Sequence, residues 1–190
     1  MSPPAAALDR FVQVYDHALD LSLCARMIES FHALSRFHRS NGEGQRAGLE
    51  DSRWTELDIS ALSDPGFRTM LLANMHTHLQ RYVDTLGLSI PVPATQRTSE
   101  LIIKRYRRGG DERFQPHFDS IGAVSNRYLV FLWYLNDVTD GGETAFVDLG
   151  LEISPAAGRL LVFPPYWMFQ HAGRAPLSDD KYILSTYFLF

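Results

Sequence analysis

The sequence predicts an α+β protein in which helices precede an antiparallel β-sandwich or jelly roll. Two observations carry this. Near residue 98 the apolar pattern changes, from a residue every fourth position to runs of β-branched and aromatic residues. Those runs are then separated only by short turns rich in glycine, proline and aspartate, with no helical crossover between them.

The elements follow in order. Residues 20–34, "DLSLCARMIESFHAL", place Leu23, Met27 and Phe31 on one helical stripe, with Asp20 or Ser22 as N-cap. Residues 35–55 are rich in polar residues and carry Gly42, Gly44 and Gly48, which predicts a long loop of functional or mobile character. A second helix is expected over 64–86, with Ser63 or Asp64 as cap, Pro65 in its first turn and Gly87 as its stop. Its stripe is Phe67, Leu71, Met75, Leu79 and Val83. The strand runs are "SELIIKRY", "RYLVFLWYLN", "ETAFVDL", "GRLLVFPP" and "KYILSTYFLF".

Length and composition exclude several classes. A chain of 190 residues with 45% hydrophobic and 21% charged residues fits one globular domain. A net charge of −4 gives no footprint for nucleic acid. No apolar run approaches the roughly 20 residues of a membrane span. The N-terminal "MSPPAAALDRF" lacks the pattern of a secretory signal. The single cysteine, Cys24, lies in a helical stretch and is expected to pack as a small hydrophobe in reducing, cytoplasmic surroundings.

The chemistry is concentrated in "RFQPHFDS", residues 113–120. In an extended chain His117 and Asp119 project from one face, with Phe118 on the other, and so offer a nitrogen and an oxygen ligand side by side. Pro116 biases Gln115 toward that extended form. HxD alone arises often by chance, so a third ligand is needed from another strand. His17 and His32 flank the first helix and His38 lies in the loop. His76 and His78 are two apart on a helix and cannot share an ion. His171 follows an apolar run and precedes a bend, which makes it the candidate. Two histidines and a carboxylate form the facial triad of non-haem Fe(II) oxygenases. Lys181, opening an apolar strand, is the second anomaly: a buried ammonium is costly unless paired, and a dicarboxylic oxo-acid would pair it.

Taken together, Tyr106, Gly109 and Gly110, "HFD" (117–119), Asn136, "GGETAF" (141–146), "SPAAGRLLVF" (154–163), "HAGRAP" (171–176) and Lys181 make residues 101–187 resemble the 2-oxoglutarate- and Fe(II)-dependent dioxygenases, in their prolyl 4-hydroxylase-like branch. The resemblance implies a double-stranded β-helix, the cupin-like jelly-roll barrel, with the N-terminal helices packed on its outer face. It implies one domain over 1–190, with 1–97 as helical support and substrate loop and 98–190 as catalytic core. It implies that His117, Asp119 and His171 bind iron and act in catalysis, that Lys181 pairs with the far carboxylate of 2-oxoglutarate, and that Tyr106 and Thr144 hydrogen-bond the same co-substrate. The expected reaction is hydroxylation of an unactivated C–H bond of an amino acid, a peptidyl residue or a small metabolite, with O2 consumed and succinate and CO2 released. Ascorbate would serve as reductant.

Loops ahead of such barrels commonly cover the substrate, so residues 36–54 are candidates, among them Arg36, His38, Arg39, Arg46, Arg53 and Trp54. Arg53 or Arg174 could pair with a substrate carboxylate. Tyr187 departs from the pattern, which has tryptophan there. The aromatic "PPYWMFQ" is expected to place Trp167 and Phe169 in the core, with Tyr166 and Trp167 at the rim of the entrance as the alternative. The last run closes at Phe190, with no C-terminal extension expected over the site. The alternative from another class is a non-catalytic barrel that senses 2-oxoglutarate or binds a partner.

Overall fold

The computed structural model describes residues 7–44 and 48–190. Its strands and helices run β1 (Gln13–Tyr15), α1 (Leu21–Ala33), β2 (Arg39–Gly42), β3 (Arg53–Asp58), α2 (Pro65–Leu86), β4 (Ile102–Tyr106), β5 (Phe114–His117), β6 (Arg127–Tyr134), β7 (Thr144–Phe146), β8 (Leu151–Ile153), β9 (Leu160–Phe163), β10 (His171–Gly173) and β11 (Lys181–Leu189). Two antiparallel sheets result. The major one is ordered β1-β9-β6-β11-β4-β3-β2 and the minor one β5-β10-β7-β8.

Both helices begin and end as their capping residues dictate. The Asp20 carboxylate accepts from the N–H groups of Ser22 and Leu23, at 2.8 and 3.2 Å. Asp64 accepts from Phe67 N–H at 2.9 Å with Pro65 in the first turn, and α2 stops at left-handed Gly87. Their buried stripes (Met27 and Phe31; Leu71, Met75 and Leu79) pack with Ile103, Phe131, Trp133 and Leu184. The alternate residues Val130, Leu132, Tyr134 and Ile183 belong to a separate cluster on the other face. Period-two alternation therefore assigns one face of the major sheet to the helices and the other to the barrel interior.

Two expectations are corrected here. Residues 35–55 are not one long loop: they include β2 and much of β3, which pair Arg39↔Glu56 through Gly42↔Arg53 and extend the major sheet. Gly42 makes the hairpin possible. Its φ is 99°, and a Cβ there would sit 2.0 Å from the Ser52 carbonyl oxygen. With β1, this means that residues before 98 supply three strands as well as helical support. Trp167 is the second correction. It is 69% exposed, whereas Phe169 is core at 3%. Cys24 is buried, and burial pushes its thiol up. No helix among the described residues is long and apolar enough to cross a membrane.

Candidate active site

The minor sheet covers one end of the major sheet's inner face, and the functional side chains meet there. β5 and β10 are neighbours with His117 directly opposite His171, and His171 also faces Phe146 of β7. Their imidazole centroids are 4.3 Å apart. β5 ends at His117, so Asp119 is not in strand geometry as the HxD spacing suggests. A bend places it, and its N–H donates to Pro165 O at 3.0 Å. Its carboxylate still reaches both histidines: Oδ1 is 3.5 Å from His117 Nε2 and Oδ2 is 3.5 Å from His171 Nε2.

These three donor atoms lie within 4.8 Å of one another, near enough for a single ion. The histidines are set for that purpose by their other nitrogens. His117 Nδ1 bonds Gln115 O at 2.8 Å and His171 Nδ1 bonds Phe169 O at 3.1 Å. A carbonyl only accepts, so each proton sits on Nδ1 and each Nε2 presents its lone pair inward. The rings are also wedged by aromatics: Phe114 stacks on His117 at 3.5 Å, and Phe163 stands edge-on to His171 at 4.7 Å. Burial, together with the neighbouring His117, pushes His171 down to about 4, so the ring is neutral at ordinary pH. Burial works to raise Asp119, but its neighbours His117, His171 and Lys104 outweigh burial and hold the carboxyl well below its usual range. Two imidazoles and one ionised carboxylate, with no thiolate, suit a divalent metal that keeps open positions, and Fe(II) fits this donor set.

Lys181 opens β11 opposite Tyr106 and is 2% exposed. Among the described residues no carboxylate comes within ion-pair distance of its Nζ. That atom lies 5.5 Å from the ring centroids of Tyr106 and Tyr134. Burial pushes the ammonium down to about 7, against the pull of Glu143. Tyr134 donates to Thr144 Oγ1 at 2.7 Å. Lys181, Tyr106 and Thr144 line the same small cavity, about 40 Å³, as His117, Asp119 and His171. The cavity thus has a metal-type end and an ammonium-and-hydroxyl end. Gly142 turns the chain beside Lys181 with φ 77°, a backbone that other residues rarely adopt.

The cavity opens into a groove of about 370 Å³ that shares Lys104, Phe114, Asp119, Ser185 and Tyr187 with it. Trp54 lines this groove. Its indole donates to Glu56 at 2.9 Å and its ring lies 4.5 Å from Phe114. The candidate arginines point elsewhere: Arg53 pairs with Glu43 at 2.6 Å and Arg174 pairs with Glu152, both on the surface and outside the groove's lining. Arg39 lines the groove, whereas Arg46 lies outside the described residues. His38 bonds Phe31 O, and His76 and His78 bond Thr95 O and Asn74 O, all away from the triad.

Sequence reasoning missed Tyr134, Lys104 and Arg127, all of which are in or beside the cavity. Tyr134 could have been read from its parity with Val130 and Leu132, but the run "RYLVFLWYLN" is apolar on both faces and conceals the alternation.

The comparisons agree with this geometry. Residues 101–189 match the 2OG-Fe(II) oxygenase superfamily. The chain is 37% identical over 88 residues to prolyl 4-hydroxylase subunit alpha-2 of Gallus gallus, covering 42% of this chain and 15% of that one. It is 26% identical over 103 residues to the human alpha-1 subunit, covering 49% and 17%. The chain therefore spans a minor part of these relatives. Among solved structures, a viral collagen prolyl hydroxylase from Paramecium Bursaria Chlorella virus-1 superposes with a TM-score of 0.66 at 18% identity, covering 93% of this chain and 94% of that one. A Trichoplax adhaerens prolyl hydroxylase, in complex with a hypoxia inducible factor peptide, gives 0.70 at 14%, covering 95% and 84%. At these identities the structures establish the fold, a double-stranded β-helix.

Proposed function

We propose that the chain, whose residues 101–189 match the 2OG-Fe(II) oxygenase superfamily, is a 2-oxoglutarate-dependent dioxygenase that hydroxylates a C–H bond of an amino acid, a peptidyl residue or a small metabolite. Fe(II), 2-oxoglutarate and O2 are the family's reagents, and together they convert the C–H to C–OH while 2-oxoglutarate becomes succinate and CO2. The observation that carries the reading is the convergence of His117, Asp119 and His171 with Lys181 in one buried cavity.

In this reading His117, Asp119 and His171 hold the iron. The Nδ1 bonds to Gln115 O and Phe169 O keep both imidazoles aimed and in one tautomer. Lys181 holds the far carboxylate of 2-oxoglutarate, and the hydroxyls of Tyr106 and Thr144 satisfy its remaining lone pairs. Phe114, Phe163 and Leu132 keep water from the cavity. Residues 98–190 form the catalytic core of a single domain; the earlier residues support it and supply Trp54 to the substrate groove. A reducing, cytoplasmic setting accords with ferrous iron and with Cys24 as the single cysteine.

The test is anaerobic addition of Fe(II) and 2-oxoglutarate. A weak visible charge-transfer band is expected in the wild type and none in His171→Ala. A wild type without the band overturns the assignment. A wild type that forms the band yet makes no succinate in air with ascorbate, whatever the prime substrate, favours the non-catalytic sensor instead.

A further inference from the structure

The groove beside Asp119 carries features that the iron and 2-oxoglutarate positions do not explain. Glu56 lies on the inner face of β3 with Trp54, and its Oε2 accepts from both Trp54 Nε1 and Asn41 Nδ2, at 2.9 and 3.0 Å. The carboxylate is therefore oriented by two neutral donors, and Oε1 receives neither of those bonds. Glu56 makes no salt bridge with any of the described arginines; its partners in register are Arg39 on β2 and Lys104 on β4, and Lys104 also lines the groove.

Arg127 sits at the start of β6, and by parity it should face away from the groove. Leu129, Phe131 and Trp133 of that strand all lie in the cluster under the helices. The register between β6 and β11 shifts at this point, with Phe188 opposite Leu129 but Leu189 opposite Arg127. That bulge turns Arg127 inward. Its guanidinium stacks 3.9 Å from the Tyr187 ring centroid and donates to Asp119 O at 3.3 Å. One N–H thus ties the arginine to the main chain of a triad residue, and a guanidinium has four more to offer. Bulges beside active sites commonly re-aim a side chain in this way.

β3 and β6 are separated by β4 and β11, which is three strand spacings, or roughly 14 Å. Two long side chains reaching inward from those strands leave room for a molecule of a few heavy atoms. The groove's volume of about 370 Å³ is also at the low end of small-molecule sites. Between the two charges lies Ser185, 4% exposed and lining both groove and cavity, with a hydroxyl that bonds no described residue.

We propose that the groove is a dipolar receptor for a free amino acid, with Glu56 taking the ammonium and Arg127 the carboxylate, so that the side chain lies over the triad. The proposal rests on the dioxygenase reading and adds the substrate class. A capped peptidyl residue carries neither charge and would match neither the Glu56 carboxylate nor the remaining N–H groups of Arg127. Ser185 is then the hydrogen-bond partner of the bound molecule near the oxidised carbon.

The test uses the full chain with Fe(II), 2-oxoglutarate and ascorbate. The twenty common L-amino acids are supplied free, N-acetylated and C-amidated, and succinate is measured. Tryptophan fluorescence with Mn(II) in place of iron reports binding independently of turnover, because Trp54 is bonded to Glu56. At least one free amino acid should stimulate succinate release and change the fluorescence, and each cap should weaken it roughly 10–100-fold. Glu56→Gln should raise KM for the free form by a similar factor and largely abolish the distinction between free and N-acetylated forms. Arg127→Gln should do the same for the amidated form. A merely structural role would not swap these preferences. Capped or peptidyl forms bound as well as free ones overturn the proposal, as does a Glu56→Gln protein with unaltered discrimination. If no free amino acid has any effect while the charge-transfer band forms, this inference falls and the dioxygenase assignment stands. If the band itself is absent, the assignment falls first.

Discussion

In the proposed reading Lys181 holds the co-substrate, and its burial then makes that binding sensitive to pH. The ammonium is held down to about 7 in this cavity, chiefly by desolvation. A bound carboxylate would favour the charged form and raise it again. The complex therefore holds a proton that the free protein gives up above about pH 7. Affinity for 2-oxoglutarate is full below that value and weakens by about tenfold per pH unit above it, until the raised value in the complex is reached. Titrating the charge-transfer band with 2-oxoglutarate from pH 6 to 9 measures this; a dissociation constant flat across that range would remove Lys181 from the role. At this scale the sequence was most legible where a charged residue stood among apolar ones. Lys181 and the HxD pair stood out for that reason. Arg53 and Arg174 looked as good in one dimension, but their nearest carboxylates, Glu43 and Glu152, engage them on the surface. Pairing of that kind is decided by neighbours distant in sequence.

Asn136 shows how an element places such a residue. Its Oδ1 accepts from Tyr182 N–H at 2.8 Å and its Nδ2 donates to Asp180 O at 2.8 Å, so it grips the chain on both sides of Lys181. The grip fixes where β11 begins. Asn136→Ala leaves both backbone groups without that partner, at a cost of about 1–3 kcal/mol. It should lower the unfolding free energy obtained from urea titration by that amount and weaken 2-oxoglutarate more than Mn(II), since the triad is carried by β5, β10 and the bend after β5. Equal weakening of both ligands would mean a general loss of fold. The strands and helices were readable because capping and period suffice for them: Asp20, Asp64 and Gly87 bound the helices where their chemistry requires. The β2–β3 hairpin was not. Its short polar strand "RSNG" has no alternation to detect, and only pairing with Trp54 and Glu56 across the turn makes it sheet. The bulge that turns Arg127 inward is likewise a property of two strands rather than of either sequence.

The whole molecule is two sheets closing on a cavity whose polar groups are only partly satisfied without ligands. Lys181 is buried without a carboxylate at ion-pair distance among the described residues, and the donor atoms of His117, Asp119 and His171 converge within 4.8 Å of one another. A fold that keeps such groups buried gives up stability at its site and regains it when ligands bind. Metal and 2-oxoglutarate should therefore raise the melting temperature together by more than the sum of their separate effects, because each shields the other from water in one cavity. Ligand at about 100 times its dissociation constant adds about 2.7 kcal/mol. For a chain of this size that corresponds to a rise of roughly 5–11 °C. Differential scanning fluorimetry with Mn(II), with 2-oxoglutarate and with both provides the measurement. His171→Ala should lose the metal-dependent rise and Lys181→Ala the rise from 2-oxoglutarate, each at the end of the cavity it lines. If the two ligands act additively in the wild type, or if either variant keeps the full shift, the two ends of the cavity do not form one site.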